Sequence, residues 1–231
     1  MRGAFENALR GLALAGAVAT CACGSSNAAP TQPSPAATPA AAAGPVVIYS
    51  SLAARDSRDN TLLFASSASY ARVSDDFTAP VTADARSISW DGGYCDTRSR
   101  LAPGWPAVPQ AVARSFQITF STDSGFNAPA IEVTPGATPL YDVVLASAHV
   151  LHERLFEVVE NERACALYRF TASLSTPFPV VAGRKYWLRV FADTENLGID
   201  WGWRPSAQGR SWVSVYSATY GWDMAFSLTS R

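Results

Sequence analysis

The chain has 231 residues, 18 basic and 19 acidic, for a formal net charge of −1. The basic residues are scattered rather than clustered, which excludes the electrostatic footprint of a nucleic-acid-binding protein. Only residues 12–19 form a compact apolar run without charge near the N-terminus, about half of the roughly 20 residues a membrane-spanning helix needs.

That run follows Arg2 and Arg10 and is followed at once by Cys21 and Cys23. A basic start, a short apolar core and small residues before a cut site describe an export signal that is removed. Val18-Ala19-Thr20-Cys21 and Thr20-Cys21-Ala22-Cys23 both resemble the lipobox of bacterial lipoproteins. The resemblance implies lipidation of the cysteine left at the mature N-terminus. Val18 matches the branched position three before Cys21, and Ala22 matches the small position before Cys23, so both cysteines are carried forward. Buried acyl methylenes at about 0.8 kcal/mol each make such an anchor stable. Plain secretion is the alternative.

Residues 24–45 contain no charged, aromatic or branched aliphatic side chain and include Pro30, Pro33, Pro35, Pro39 and Pro45. Such a segment has nothing to bury, and its prolines oppose a helix. The expected organisation is a signal peptide over residues 1–22, cut before Cys21 or Cys23, a disordered Ala/Pro-rich tether over 23–45, and one domain over 46–231. At about 3.1 Å per residue the tether reaches up to roughly 70 Å. The protein is accordingly expected outside the cytoplasm, lipid-anchored to the cell envelope or cell surface.

All seven Trp, all eight Tyr and every Phe but Phe5 fall in the domain. Aromatic and β-branched enrichment favours strands. Short apolar or alternating runs recur at 46–52, 62–65, 70–77, 87–90, 114–121, 140–146, 155–159, 165–174, 185–191, 199–203, 212–216 and 224–228. This spacing predicts an all-β fold, a single antiparallel sandwich or barrel. Residues 150–162 also approach a helical repeat, but Phe156 and Val158 alternate with Glu157, and Asn161-Glu162 supplies a turn, so a hairpin is expected. Cys95 and Cys165, the two cysteines left in the domain, are expected to pair in an oxidising compartment.

The blocks 74–77, 88–94, 172–178, 182–188 and 223–228 occur in order and are similar to a poorly characterised group of bacterial extracellular β-sandwich domains. Their outline resembles the jelly rolls of carbohydrate-binding modules. The likeness spans about residues 60–229 and implies a jelly-roll-like sandwich without implying an activity.

Trp201-Gly202-Trp203 places two indoles two positions apart, on one side of an extended strand. With Arg204 beside them and Trp222 as a further wall, they suit stacking against a sugar ring, as aromatic faces bind the C–H face of a pyranose. The plainer reading is that these tryptophans fill the core. Asp75, Asp76 and Asp223 resemble the acidic positions with which jelly-roll modules hold a structural Ca²⁺, although calcium needs six to eight oxygens. Turn capping is the plain reading of the same aspartates. His149 and His152 fit no zinc motif, and no Gly-x-Ser-x-Gly elbow occurs.

The functional expectation is a non-catalytic, envelope-anchored binding module for glycan or another envelope polymer. The main alternative is a structural or protein-interaction lipoprotein whose aromatics are all core; a secreted hydrolase is the third reading. Expected partners are the membrane, through the N-terminal lipid, and a polysaccharide or envelope protein, with no nucleic acid. Burial of both indoles below about a tenth exposed separates the first reading from the second.

Overall fold

A computed structural model describes residues 44–55, 57, 63–66, 72–96, 113–125, 128–129, 138–160, 163–194, 199–206, 213–215 and 218–230. Cys21, Cys23, tether residues 23–43 and Trp212 lie outside the described residues. Residues 43–231 form a compact unit by themselves. Its strands are β1 (Val47–Ser50), β2 (Phe64–Ala65), β3 (Val73–Thr78), β4 (Ala83–Asp96), β5 (Ser115–Thr122), β6 (Tyr141–Ala146), β7 (Leu151–Glu160), β8 (Arg163–Val180), β9 (Lys185–Asp193), β10 (Ile199–Trp203), β11 (Val213–Val215), β12 (Ala218–Tyr220) and β13 (Phe226–Thr229).

The strands form two antiparallel sheets. In the first, β7 pairs with β8 and β8 with the long β4. The other edge of β4 is shared end to end by β13, opposite Ser87 to Trp90, and β10, opposite Gly92 to Asp96. Beyond them lie β1, on β13, and β2, on β10. The second sheet runs β12-β11-β3-β9-β5-β6. Eight strands, β1-β13-β4-β8 facing β3-β9-β5-β6, give a jelly roll, with the chain crossing between sheets at the β2–β3, β3–β4, β4–β5, β6–β7, β8–β9, β9–β10, β10–β11 and β12–β13 connections.

Strand periodicity explains what faces inward. In β5, Phe116, Ile118 and Phe120 are buried in the sandwich, while Gln117 and Thr119 turn outward and both donate to Asp142. In β9, Tyr186, Leu188 and Val190 share the inner face. Aromatic contacts dominate the interior: Phe120 stacks on Phe178 at 4.2 Å and Trp90 on Phe170 at 5.4 Å between centroids. Offset stacking of this kind adds roughly 0.5–1.5 kcal/mol per pair beyond area burial.

Residues 151–160 are a strand, β7, that pairs antiparallel with β8 from Leu151–Thr171 to Glu160–Arg163, with a bulge between Arg154 and Phe156. His152 packs edge-on against Phe170 at 5.1 Å, and burial lowers its pKa.

The expected strand at 87–90 is far longer in the fold, because β4 continues through Asp91-Gly92-Gly93 instead of turning there. Close packing is the reason. A Cβ at Gly92 would lie 2.6 Å from the Trp201 ring and 2.8 Å from the Gly202 carbonyl oxygen. Glycine keeps the strand straight where a neighbouring indole lies across it.

A smaller apolar cluster sits on the outer face of the first sheet. The Cys95–Cys165 disulfide and Leu167 are covered there by Leu63, Leu155, Phe156 and Val158. The two cysteines oppose each other directly in the β4–β8 ladder, so the register delivers the expected pair.

Candidate functional site

The region around β10 gathers most of the side chains singled out above. Trp201 and Trp203 do share one side of the strand, but it is the inner side. Trp201 opposes Tyr94 and Trp203 opposes Gly92, and both indoles are 0 % exposed. Trp201 meets Phe116 at 5.8 Å and Phe170 at 6.2 Å, edge to face. Trp203 reaches Phe226 at 6.0 Å and donates from Nε1 to the Ala225 carbonyl at 3.2 Å. An open stacking platform is therefore corrected to core. Gly202 does leave room, but on the opposite face: a Cβ there would lie 2.6 Å from Leu63 Cβ.

Arg204 is likewise corrected from a ligand contact to a buried structural cation. Its side chain is 0 % exposed, its guanidinium lies 5.4 Å from the Phe156 ring, and Nη2 donates to the Ser57 carbonyl at 2.8 Å. A neighbouring counter-charge is Asp91, fully buried on the outer face of β4. Arg169 on β8 donates from Nε to Asp91 Oδ1 at 2.7 Å and from Nη2 to Oδ2 at 2.9 Å. Arg204 Nη1 lies 3.9 Å from the same Oδ2. The two-pronged geometry is the strong form of an arginine–carboxylate pair. Arg169 Nη2 also donates to the Ala53 carbonyl at 2.9 Å. The two arginines thus pin the chain that leaves β1 by its carbonyls, and Arg55 on that stretch pairs with Glu153 of β7.

The three aspartates do not form one ligand set. Asp75 and Asp76 are consecutive on β3, and alternation sends them to opposite faces. Asp76 points outward, where Lys185 Nζ lies 2.7 Å from its Oδ2 and 3.6 Å from Asp123 Oδ1. Lys185 also lies over the Trp187 ring at 5.2 Å, and Trp187 donates from Nε1 to Asp123 Oδ1 at 2.7 Å. Trp187 is buried, as its apolar strand predicts, but on the outer face of its sheet.

Asp75 points into the sandwich and is fully buried. Its Oδ2 accepts from the Met224 amide at 2.9 Å, whereas Oδ1 has no hydrogen-bond donor among the described residues. Burial first, and then the neighbouring Asp223 and Asp76 charges, push its pKa well above the ordinary carboxylate range. Tyr49 responds to the same surroundings: burial, Asp75 and Asp223 push its phenol upward. Among the described residues no group of three His, Cys, Asp or Glu side chains is arranged to hold a metal ion.

The direction of the Asp75 shift has a thermodynamic consequence. A carboxyl whose folded pKa exceeds its unfolded value binds its proton more tightly when folded, so stability is greatest below the unfolded pKa and falls as pH rises through the folded one. Asp75→Asn keeps an acceptor for the Met224 amide and removes this dependence. Its unfolding midpoint should exceed the wild type at pH 7–8 and match it near pH 3. Denaturant melts at both pH values measure this, and a variant no more stable at pH 8 would contradict it.

Trp222 is the one candidate ligand residue left partly open, at 36 % exposure, with its ring 6.2 Å from that of Phe64. Sequence reasoning named Arg204 but missed Asp91 and Arg169. The available signal was charge inside apolar strand patterns, Trp90-Asp91 and Tyr168-Arg169-Phe170, where a buried charge demands a partner.

Fold and side-chain contacts together define an antiparallel jelly-roll β-sandwich in which, among the described residues, Trp90, Trp187, Trp201, Trp203 and the Asp91–Arg204 pair are buried against other parts of the domain. The chain belongs to the family described as Domain of unknown function (DUF7901), whose model matches residues 56–229. No curated protein and no solved structure matches it.

Proposed function

We propose that this protein is an exported, lipid-anchored, non-catalytic sandwich of the bacterial cell envelope, with a structural or protein-interaction role. The carrying observation is the complete burial of Trp201, Trp203 and Arg204, which commits to the core the groups best suited to grip a sugar. The lipobox-like cysteines and the uncharged Ala/Pro segment support the anchoring half of the reading.

A glycan-binding role is the second reading, favoured by the exposed Trp222 beside Phe64. Retention on immobilised cell-wall polysaccharides separates the two. The structural reading expects no retention of the wild type, while retention lost on Trp222→Ala would overturn it. Anchoring is tested by the mass of the mature N-terminal peptide and by membrane fractionation of Cys21→Ser and Cys23→Ser. One substitution should abolish the acyl mass on that peptide and weaken membrane retention; a wild-type mature N-terminus that carries no acyl mass would sink the anchor.

A further inference from the structure

Among the described residues, eight large hydrophobic side chains are exposed: Val46, Val47, Val81, Leu140, Val144, Leu151, Val181 and Trp222. Scattered single exposures are ordinary on a soluble protein. Here the placement is uneven, and the strand registers say so.

Val47 opposes Thr229, and the Ser230 amide donates to the Val46 carbonyl, so β1 begins where β13 ends. Thr229 opposes Ser87, near the start of β4, and β4 begins at Ala83 opposite Val180. Val81 and Val181 lie in the two turns beyond that pair, and these turns are joined by the Ala182 amide donating to Thr82 Oγ1 at 3.0 Å. In the second sheet, Thr78 opposes Lys185 and Thr122 opposes Tyr186, which places the end of β5 at the same level. Leu140 donates its amide to the Phe120 carbonyl there. Five of the eight side chains, Val46, Val47, Val81, Leu140 and Val181, thus share one end of the sandwich, each 41–59 % exposed. Exposed Arg86 and Arg184 flank them, with Asp84 as an exposed acidic neighbour and with Asp76 and Asp123 paired to Lys185 at the same level.

This is also the end at which the chain arrives. Residues 24–45 join the cysteines directly to Val46, so a domain anchored through Cys21 or Cys23 is leashed to the membrane by this face. We propose that this end docks on a lipid surface, with the four valines and Leu140 entering the headgroup region and the two arginines meeting lipid phosphates. The proposal takes its setting from the lipid-anchor reading. The lipid anchor alone holds the chain at the bilayer, so what the face adds is contact of the domain itself with the lipid surface. Even a leash that reaches up to roughly 70 Å confines the face near the bilayer and raises its local concentration there, so individually weak insertions suffice.

The test uses residues 44–231, which contain every described strand and both apolar clusters and need no lipid. Flotation with phosphatidylethanolamine vesicles, with and without phosphatidylglycerol, measures binding. The wild type should float, more so with the anionic lipid. The combined variant Val46→Ser, Val47→Ser, Val81→Ser, Val181→Ser should reduce the floated fraction at least five-fold. Val144→Ser with Leu151→Ser, more exposed at 64 % and 68 % but away from this end, should float like the wild type. Denaturant melts of each variant confirm that folding is retained, and the single substitutions Val81→Ser and Val181→Ser replace the combined variant if it unfolds. A wild type that stays with the unbound fraction overturns the proposal, as does equal loss in the control variant. So does a concentration-dependent dimer abolished by the end variant, which would assign the face to a second copy of the chain. Absence of acyl mass on Cys21 and Cys23 with flotation intact would instead fail the anchor and leave the docking face standing.

Discussion

Replacing Cys95 and Cys165 together by alanine should lower the unfolding free energy by about 4 kcal/mol, the chain-entropy value for a loop of this length. The bridged residues are 70 apart in sequence. Between them lie β5 and β6 of one sheet and β7 of the other, so the bond restrains a stretch of unfolded chain that must otherwise find both layers. For a domain of this size the loss corresponds to a drop of roughly 8–16 °C in the melting midpoint. In the folded state the cysteines are already opposed by the β4–β8 ladder and covered by Leu63 and Phe156. The effect should therefore fall mainly on the unfolded ensemble, leaving the native near-ultraviolet dichroism of the aromatic core unchanged. Melts of the double variant, and of the wild type under reductant with thiols counted, measure it. Midpoints that coincide in oxidised and reduced protein would show that the bond contributes nothing.

How far the fold was legible follows from what alternation does and does not encode. Phe116, Ile118 and Phe120 alternate with polar residues, so β5 and its inner face could both be read. Trp201 and Trp203 alternate as well, and their sharing of one side was correct. Period two does not say which side is inward when both faces of a strand are covered, and here Leu63 crosses the outer face at Gly202. The same limit explains Trp187, buried outward against Asp123 and Lys185. Asp91-Gly92-Gly93 has the composition of a turn, yet β4 runs through it because the Trp201 ring lies across Gly92. That requirement comes from a residue more than a hundred positions away and leaves no local trace. The aspartates failed as one site for a local reason that was available in principle: neighbours on a strand diverge, so Asp75 and Asp76 belong to different layers once β3 is accepted. The Cys95–Cys165 pair was readable because only two domain cysteines had to be matched.

The buried Asp91 supplies the other large effect. Asp91→Ala should cost about 3–5 kcal/mol, the range for removing one partner of a buried ion pair and stranding the other. Both guanidiniums lose a buried carboxylate neighbour at once, with side chains only 12 % exposed in Arg169 and 0 % in Arg204. Asp91→Asn should cost less, because the amide oxygen still accepts from one arginine and the volume is kept. The damage should also be directional. Arg169 and Arg204 hold the Ala53 and Ser57 carbonyls, so the chain between β1 and β2 loses its pins when the arginines reorient. Arg55 lies on that stretch with its side chain 62 % exposed. Trypsin cleavage after Arg55 should accelerate in Asp91→Ala under conditions where the core remains folded, and by less in Asp91→Asn. Denaturant midpoints give the stability term and peptide mapping of the first cleavage gives the local one. A variant as stable as the wild type, with cleavage at Arg55 no faster, would reduce the cluster to solvent-tolerant surface charge. Cleavage that accelerates without a change in midpoint would restrict its role to pinning the chain between β1 and β2.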